Sequence, residues 1–373
     1  LYSNAFALDF VRGFKNQNFW ILEQLGGPMG CWAPISPAME PGMLEGYALQ
    51  AAAHGADLIS FFRWRTSCTG AEMFCHGLLD HSNVPNRRLT ELEQLCRRLE
   101  KLPELGNTTV HSQVAMLYSA DQEFTLKNQE QGQGFSYWKQ LRLFHDACMN
   151  LGVNVDVVEE RTPLDGYKVV IVPTHFITDP DVVARLEDFT RRGGSVVVTC
   201  RSGVKDQNGN CILGQELPTL FRALCGCRVT EYDAIGPAMQ ELTLERGGRY
   251  QITGWCDLIE PGTAQVLARY QGRFYSGVPA ITKNAFGSGC AYYVGAVGER
   301  ALYCTLLLTV FREQGLPVSR LPQGVELTVR SGPSGTYQFY FNNTAHSHDV
   351  EADGQKVHLQ PFEMKIRTQG AWA

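Results

Sequence analysis

The amino-acid sequence predicts an α/β fold that is followed by a small all-β region. Helix and strand patterns alternate with short connections up to about residue 200, and after Pro317 only short alternating segments joined by Gly, Pro and Asn remain. At roughly 100–200 residues per domain, 373 residues suggest two or three domains. We place these domains at residues 1–106, 107–317 and 318–373.

The first domain is predicted to contain two βα units of a parallel sheet. Helical spacing indicates helices over residues 3–15, 41–56 and 89–102, and apolar runs indicate strands over 19–23 and 58–64. Because the connections are short, the two strands are expected to lie side by side and parallel. The first strand, FWILE, is almost wholly apolar, and we expect it to be buried.

The second domain is predicted to be a separate alternating α/β domain. Its predicted elements are strands over 113–119, 153–160, 168–174 and 195–200, helices over 135–152, 179–194 and 298–316, and further strands within 225–298. The helix over 179–194 begins with acidic residues and ends with basic residues and glycine, which suits the helix dipole. The third domain is predicted to be a small all-β sandwich.

Composition and charge exclude several classes of function. The net charge is −5 with both signs interspersed, so neither nucleic acid nor a membrane is an expected partner. The apolar run Ala301–Phe311 is too short to cross a bilayer, and the N-terminus lacks the pattern of a signal peptide. Twelve scattered cysteines indicate reduced thiols and a cytoplasmic protein. The pair Cys225 and Cys227 lacks the second pair that a zinc site needs, and we expect neither a metal nor a cofactor.

Polar and aromatic residues follow the two predicted strands of the first domain. Glu23 ends the first strand, Phe62 lies near the end of the second, and Glu72 and His76 come shortly afterwards. Ligands bind at the carboxyl ends of parallel strands, so these side chains are expected to meet. Carboxylates act at the anomeric carbon of a sugar, and an aromatic ring such as that of Trp32 stacks on the sugar. The alternative is that the carboxylates are paired structural charges and the aromatic residues belong to the core.

Residues 1–102 contain several short motifs in order. They are DFVRGF, FWILEQ, the glycine- and proline-containing loop to Trp32, EGYALQAAAHGAD, FFRWR and GAEMFCHGLLDH. Together they resemble glycoside hydrolase family 42, the bacterial β-galactosidases. The layout that follows is also similar to that family's, with a flavodoxin-like domain associated with trimer formation and a small C-terminal β-domain. The resemblance implies that the first domain is the end of a (β/α)8 barrel and that the protein is a homotrimer which hydrolyses β-galactosides with retention.

The resemblance also implies roles for individual residues. Glu23 would be the nucleophile at the end of barrel strand seven, and Trp32 would form a sugar-stacking wall on the loop that follows. Phe62, at the end of strand eight, would line the galactose subsite together with Glu72 and His76.

The chain departs from the commonest family pattern at two places. Arg63 stands where Gln is common, so that the motif is FFRWR instead of FFQWR. The segment from Glu23 to Trp32 is one residue longer than the commonest form. The spacing from Glu72 to His76 also varies within the family.

The resemblance calls for a second catalytic carboxylate that these residues do not supply. A retaining glycosidase needs an acid/base about 5–5.5 Å from its nucleophile. In the family this residue is the Glu of an Asn-Glu pair, and no Asn of this chain is followed by Glu. The resemblance therefore implies that about six βα units of the barrel, with the acid/base, lie upstream of Leu1. We expect the 373-residue chain by itself to be inactive.

Two other functions stay open. In one, residues 107–373 are a non-catalytic module for oligomerisation. In the other, which rests on a likeness of the second domain to class I glutamine amidotransferases, Cys200 is a nucleophile at a strand-to-helix turn. The residues that flank Cys200 are not the glycines of a working turn, and no His-x-Glu pair follows to activate the thiol, so this alternative is the weaker one. We expect His145 and His175 to be structural.

Overall fold

The computed structural model describes residues 2–352, 354–368 and 371–372. The chain divides into two units, one made of Leu1–His111 together with Ser319–Ala373 and the other of Ser112–Val318. The C-terminal segment therefore shares a unit with the N-terminal segment. Within the described residues, no helix has the length and apolar character that a membrane crossing requires.

The N-terminal segment alternates helices and strands in the predicted order. Its elements are α1 (Ser3–Gly13), β1 (Phe19–Leu25), α2 (Met43–Ala53), β2 (Ala56–Phe62), α3 (Arg87–Leu99), a 3₁₀ turn (Pro103–Asn107) and β3 (Thr109–Val110). Strands β1 and β2 pair in parallel, which confirms the predicted pairing. Helix α3 begins where the side chain of Asn86 accepts a hydrogen bond from the backbone N–H of Leu89 at 3.2 Å.

The sheet formed by β1 and β2 is covered by helices on one face. Phe19 and Ile21 pack on this face against a small core from α1 and α2. Trp20 and Leu22 alternate with them and are 66% and 73% exposed. The prediction that this strand is buried is wrong for the second face, because the described residues place no layer over it.

The second unit is built around a ten-stranded mixed sheet. Its helices are α4 (Ala120–Asn128), α5 (Tyr137–Asn150), α6 (Pro180–Arg191), α7 (Arg222–Cys225) and α8 (Arg300–Glu313), with a 3₁₀ turn at Thr219–Phe221. Its strands are β4 (Val114–Tyr118), β5 (Asp156–Glu159), β6 (Val169–Val172), β7 (Ile177–Thr178), β8 (Ser195–Thr199), β9 (Lys205–Asp206), β10 (Cys227–Leu244), β11 (Arg249–Pro261), β12 (Gln265–Gln271), β13 (Pro279–Phe286), β14 (Gly289–Val294) and β15 (Ala296–Gly298). Helix α4 was not predicted, because ADQEFTLKN is mostly polar and its few apolar residues form no continuous stripe.

The order of the strands identifies the parallel half of this sheet. The ten strands lie in the order β15-β11-β10-β12-β13-β14-β8-β6-β4-β5. The last five are parallel, and from the β5 edge they run 2-1-3-4-5 in chain order, which is the order found in flavodoxin. Every residue of β6 and β8 is buried. Burial on both faces explains why near-continuous apolar runs marked these strands in the sequence.

The C-terminal segment is all-β, as predicted. Its strands are β16 (Val325–Gly332), β17 (Gly335–Asn342), β18 (His348–Ala352), β19 (Gln355–Leu359), β20 (Met364–Thr368) and β21 (Ala371–Trp372). Among the described residues, β21, β20, β17 and β16 form a sheet that is completed by β3 of the N-terminal segment. One face of this sheet packs on the β18–β19 hairpin and the other on α2 and α3. The N-terminal and C-terminal segments therefore both contribute to this sheet and to the cores on its two faces.

Candidate functional site

All five residues that the sequence analysis places in a sugar site line one cavity. The cavity has a volume of about 190 Å³ and lies where β1 and β2 end. Its lining consists of Glu23, Trp32, Phe62, Glu72 and His76, together with Leu25, Gly27, Pro28, Met29 and Cys75. Two carboxylates, an imidazole and two aromatic rings therefore border the same space. Paired carboxylates are the groups that cleave glycosidic bonds.

Glu23 reaches the cavity because β1 contains one extra residue. From Ile21 to Gln24 the strand advances three residues, while its partner β2 advances two, from Ile59 to Phe61. Regular alternation would place Glu23 on the same face as Ile21, against the helices. The bulge breaks that alternation. Glu23 is exposed, and no cation of the described residues forms an ion pair with it.

The loop between β1 and α2 carries Trp32 and packs against the loop that follows β2. The Trp32 side chain is 76% exposed. The backbone N–H of His76 donates to the carbonyl oxygen of Pro28 at 2.9 Å. A Cβ atom on Gly27 would lie 2.8 Å from the carbonyl oxygen of His76, so the loops approach this closely because residue 27 is glycine.

The loop after β2 is closed at its base by backbone hydrogen bonds. The N–H of Leu78 donates to the carbonyl oxygen of Arg63 at 2.7 Å, and the next N–H donates to that of Trp64 at 2.9 Å. The loop presents Glu72 to the cavity, and the Glu72 carboxylate forms an ion pair with the guanidinium of Arg63. Glu72 is therefore an oriented carboxylate, in contrast to Glu23.

His76 is oriented by a carboxylate that an arginine holds in place. The Nδ1 atom of His76 lies 3.1 Å from Oδ1 of Asp80, and Nη2 of Arg88 donates to the same oxygen at 2.6 Å. Burial alone would raise the pKa of Asp80, but the hydrogen bonds from Arg88 and His76 lower it below its ordinary value. An ionised carboxylate only accepts hydrogen bonds, so Nδ1 of His76 carries the hydrogen and Nε2 is left for a ligand.

A disulfide joins the two loops that border the cavity. Cys31 and Cys75 are bonded, with Cα atoms 5.8 Å apart, and they lie 44 positions apart in sequence. The prediction of reduced thiols is wrong for this pair, because the approach of the two loops is not visible in the spacing of the cysteines. The other ten cysteines, all in the described part of the chain, are not in disulfides.

Cys200 is not available as a nucleophile. Its side chain is buried with Trp255 and Val297. Burial raises the pKa of the Cys200 thiol well above its ordinary value, so the thiol stays protonated. A protonated thiol without access to solvent does not attack a substrate. The geometry therefore argues against the amidotransferase alternative.

The other histidines and cysteines that the sequence analysis considered lie in the interior of the second unit. His145 and His175 are buried, and burial lowers the pKa of His175 to about 4. Cys225 and Cys227 belong to the apolar core, and burial raises the pKa of Cys227 to about 11. Among the described residues, no group of three or more His, Cys, Asp or Glu side chains is placed to hold a metal ion.

A larger groove of about 830 Å³ lies beside α6. Its polar lining is a set of arginines and aspartates, including Arg161, Arg185, Asp181 and Asp188. Exposed pairs of this kind, such as Arg192 with Asp188 at 2.9 Å, are ordinary surface ion pairs. No aromatic or histidine side chain is among the described residues that line the groove. The smaller cavity therefore remains the candidate site.

Sequence reasoning missed the residues that orient the predicted ones. Arg63 was noted as a departure from a motif, but its ion pair with Glu72 was not predicted. Asp80 and Arg88 were not singled out either, although Asp80 follows His76 by four residues. The signal that could have identified Asp80 is a carboxylate four residues after a candidate histidine.

Comparisons with known proteins agree with the resemblance. Residues 1–102 match the family model described as β-galactosidase, and residues 112–317 match the model described as β-galactosidase trimerisation domain, both of glycoside hydrolase family 42. Together the two models cover most of the chain.

Relatives match over almost the entire chain. β-Galactosidase BgaA of Clostridium cellulovorans is 40% identical over 380 residues, which cover 98% of this chain and 58% of BgaA. β-Galactosidase BglY of Alicyclobacillus acidocaldarius is 30% identical over 380 residues, which cover 98% of this chain and 55% of BglY. The chain thus spans little more than half the length of these relatives.

Solved structures show the same match in three dimensions. The β-galactosidase from Bacillus circulans sp. alkalophilus superposes with a TM-score of 0.91 at 28% identity, over 97% of this chain and 57% of the other. The β-galactosidase from Rahnella sp. R3 superposes with a TM-score of 0.92 at 26% identity, over 98% of this chain and 57% of the other. Motifs, family models and fold therefore agree, and the chain belongs to glycoside hydrolase family 42, the β-galactosidases.

Proposed function

We propose that these residues are part of a retaining β-galactosidase and that Glu23 is its nucleophile. The observation that carries the proposal is that Glu23 borders the same cavity as the predicted sugar-binding residues Trp32, Phe62, Glu72 and His76. The relatives that match the chain are named β-galactosidases, which supports a galactoside as the substrate.

The proposed chemistry has two steps. The Glu23 carboxylate attacks the anomeric carbon, the bond to the leaving-group oxygen breaks, and that oxygen takes a proton from the acid/base. Water then gives a proton to the acid/base and attacks the anomeric carbon of the glycosyl-enzyme ester, which releases galactose and the Glu23 carboxylate. Trp32 covers the sugar ring, while Glu72 and Nε2 of His76 bind hydroxyl groups. The acid/base comes from polypeptide outside residues 1–373, since no Asn-Glu pair occurs within them.

We propose three functional regions with the predicted bounds. Residues 1–106 supply strands seven and eight of a (β/α)8 barrel, residues 107–317 form a flavodoxin-like trimerisation domain, and residues 318–373 form the C-terminal β-domain. The exposure of Trp20 and Leu22 supports the first assignment, because a barrel strand needs a cover on both of its faces.

The proposed assembly is a cytoplasmic homotrimer. The match of residues 112–317 to a trimerisation domain supports three copies, and the ten cysteines that are not in disulfides support a reducing compartment. Light scattering on the 373-residue chain tests the assembly. The expected molar mass is three times 41.5 kDa, and a monomer would contradict it.

The catalytic proposal is tested by comparing two proteins with a nitrophenyl β-galactoside. The 373-residue chain alone is expected to give no turnover, and the complete polypeptide that contains the chain is expected to be active. Proton NMR of the first-formed galactose should show the β anomer. An α anomer, or turnover by the isolated chain at the rate of the complete polypeptide, would contradict the proposal. If both proteins are inactive, the alternative of a non-catalytic oligomerisation module is favoured.

A further inference from the structure

Arg63 touches two residues of the candidate site without lining the cavity itself. Its guanidinium carbon lies 4.2 Å from the centre of the Phe62 ring. On the other side, its Nη2 atom forms the ion pair with Oε2 of Glu72. Both Phe62 and Glu72 line the cavity, so one side chain connects an aromatic wall to a carboxylate.

The backbone of Arg63 is fixed by its neighbours. Its carbonyl oxygen accepts the hydrogen bond from Leu78, and a Cβ atom on Gly77 would collide with the same oxygen. Glu72, by contrast, lies on a turn whose backbone bonds are local, with the N–H of Cys75 donating to the Glu72 carbonyl at 3.0 Å. The ion pair therefore joins the turn that carries Glu72 to a residue whose backbone is held in place.

The chemistry of the pair leaves Glu72 able to bind a sugar. Arg63 engages Oε2 of Glu72, and an ionised carboxylate has further acceptor sites on Oε1 for a substrate hydroxyl. The guanidinium is permanently charged and planar, so it holds the carboxylate in one orientation more firmly than a neutral amide would. The Nε atom of Arg63 is buried and has no hydrogen-bond partner among the described residues. The polar contact of Arg63 with the site is the hydrogen bond from Nη2 to Glu72.

We propose that Arg63 is a positioning residue that orients Glu72 toward a substrate hydroxyl group. The inference rests on the proposed β-galactosidase function and adds to it a determinant of substrate binding. Arg63 acts through Glu72, so its effect disappears when Glu72 can no longer be paired. The effect falls mainly on KM, because the ion pair orders a binding group and leaves the attacking carboxylate unchanged.

The test is a double-mutant cycle in the complete polypeptide that contains the chain. The variants are Arg63→Met, Glu72→Gln and the double variant, assayed for kcat and KM with a nitrophenyl β-galactoside. Arg63→Met, which cannot donate a hydrogen bond, is expected to raise KM about tenfold with a smaller change in kcat, as loss of a charge-assisted hydrogen bond implies. The double variant is expected to match Glu72→Gln, because the two residues act as one unit. Arg63→Lys, which keeps the charge, is expected to recover part of the loss.

A matched control separates positioning from general stability. Arg98 pairs with Glu45 at 2.7 Å in the same unit and is not part of the cavity lining. Arg98→Met should lower the melting temperature and leave KM unchanged. Three results would each overturn the proposal. They are independent, multiplicative effects of Arg63→Met and Glu72→Gln, an unchanged KM in Arg63→Met, and an equal rise of KM in Arg98→Met. An inactive wild-type protein would instead refute the proposed function, and with it the role that depends on that function.

Discussion

Arg330 of β16 donates a hydrogen bond from Nη2 to Oδ1 of Asp57, at the start of β2, across 2.9 Å. The Arg330 side chain is almost fully buried. Nη1 donates to the carbonyl oxygen of Ala52 at 2.6 Å, and Nη2 also donates to that of Thr108 at 2.7 Å. A single guanidinium thus holds the C-terminal segment, the end of α2 and the strand that carries Phe62 together.

Replacement of Arg330 by Met is expected to destabilise the first unit by about 3–5 kcal/mol. The substitution removes the cation that pairs with Asp57, which keeps its hydrogen bonds from Asn18, and it takes a buried donor from the carbonyl oxygens of Ala52 and Thr108. Urea unfolding of the 373-residue chain measures the loss. Arg320→Met, at an exposed position, is the control and should change stability by less than about 0.5 kcal/mol. Equal stability of the two variants would show that Arg330 is not a structural link.

His54 is expected to make stability fall as the pH rises from neutral to alkaline. Burial alone would lower the pKa of His54, but Asp9, whose Oδ1 lies 2.7 Å from Nδ1, and Glu326 raise it to about 9. The protonated form is therefore favoured in the folded state. The stabilisation by protonated His54 is fully present below a pH of about 6.5, which is the pKa of this residue in the unfolded chain. It is lost as the pH rises from that value to about 9.

The size of this pH effect is about 3 kcal/mol at most. The free energy of unfolding between pH 6 and 9.5 measures it. His54→Gln is expected to lower stability at pH 6 and to flatten the slope through this range. A wild-type slope that persists unchanged in His54→Gln would assign the titration to another group.

Reduction of the disulfide between Cys31 and Cys75 is expected to lower stability by about 2–4 kcal/mol. The bond closes a loop of 44 residues and so restricts the unfolded chain. Denaturant unfolding with and without dithiothreitol measures the difference. Cys75→Ser should abolish the response to reductant, whereas Cys68→Ser, at an exposed free thiol, should keep it. A wild-type protein that does not respond to reductant would contradict this expectation.

Replacement of Glu23 by Ala in the complete polypeptide is expected to abolish galactoside hydrolysis, and added azide should restore turnover. Azide fits into the space of the missing carboxylate and attacks the anomeric carbon from the same side. The product should be the α-galactosyl azide, identified by NMR. A β-galactosyl azide would show that Glu23 serves as the acid/base, and no azide product from an otherwise folded variant would count against a nucleophile at this position.

Much of the local structure was predictable from the sequence. The alternation of helices and strands, the parallel pairing of β1 with β2 and the all-β C-terminal segment follow from the spacing of apolar residues. The motifs also placed Glu23 and Phe62 at strand ends. Local patterns succeed here because the repeat of a helix or strand fixes which side chains share a face.

Contacts between distant segments were decided by the tertiary structure alone. The sequence gives no sign that β3 completes the C-terminal sheet, that Arg63 meets Glu72, or that Cys31 meets Cys75. Neither does it show the bulge that turns Glu23 into the cavity. Local periodicity specifies the type and facing of an element, whereas the partner of a charge, a thiol or a strand edge depends on the path of the whole chain. Only that path brings together the groups that orient the candidate site.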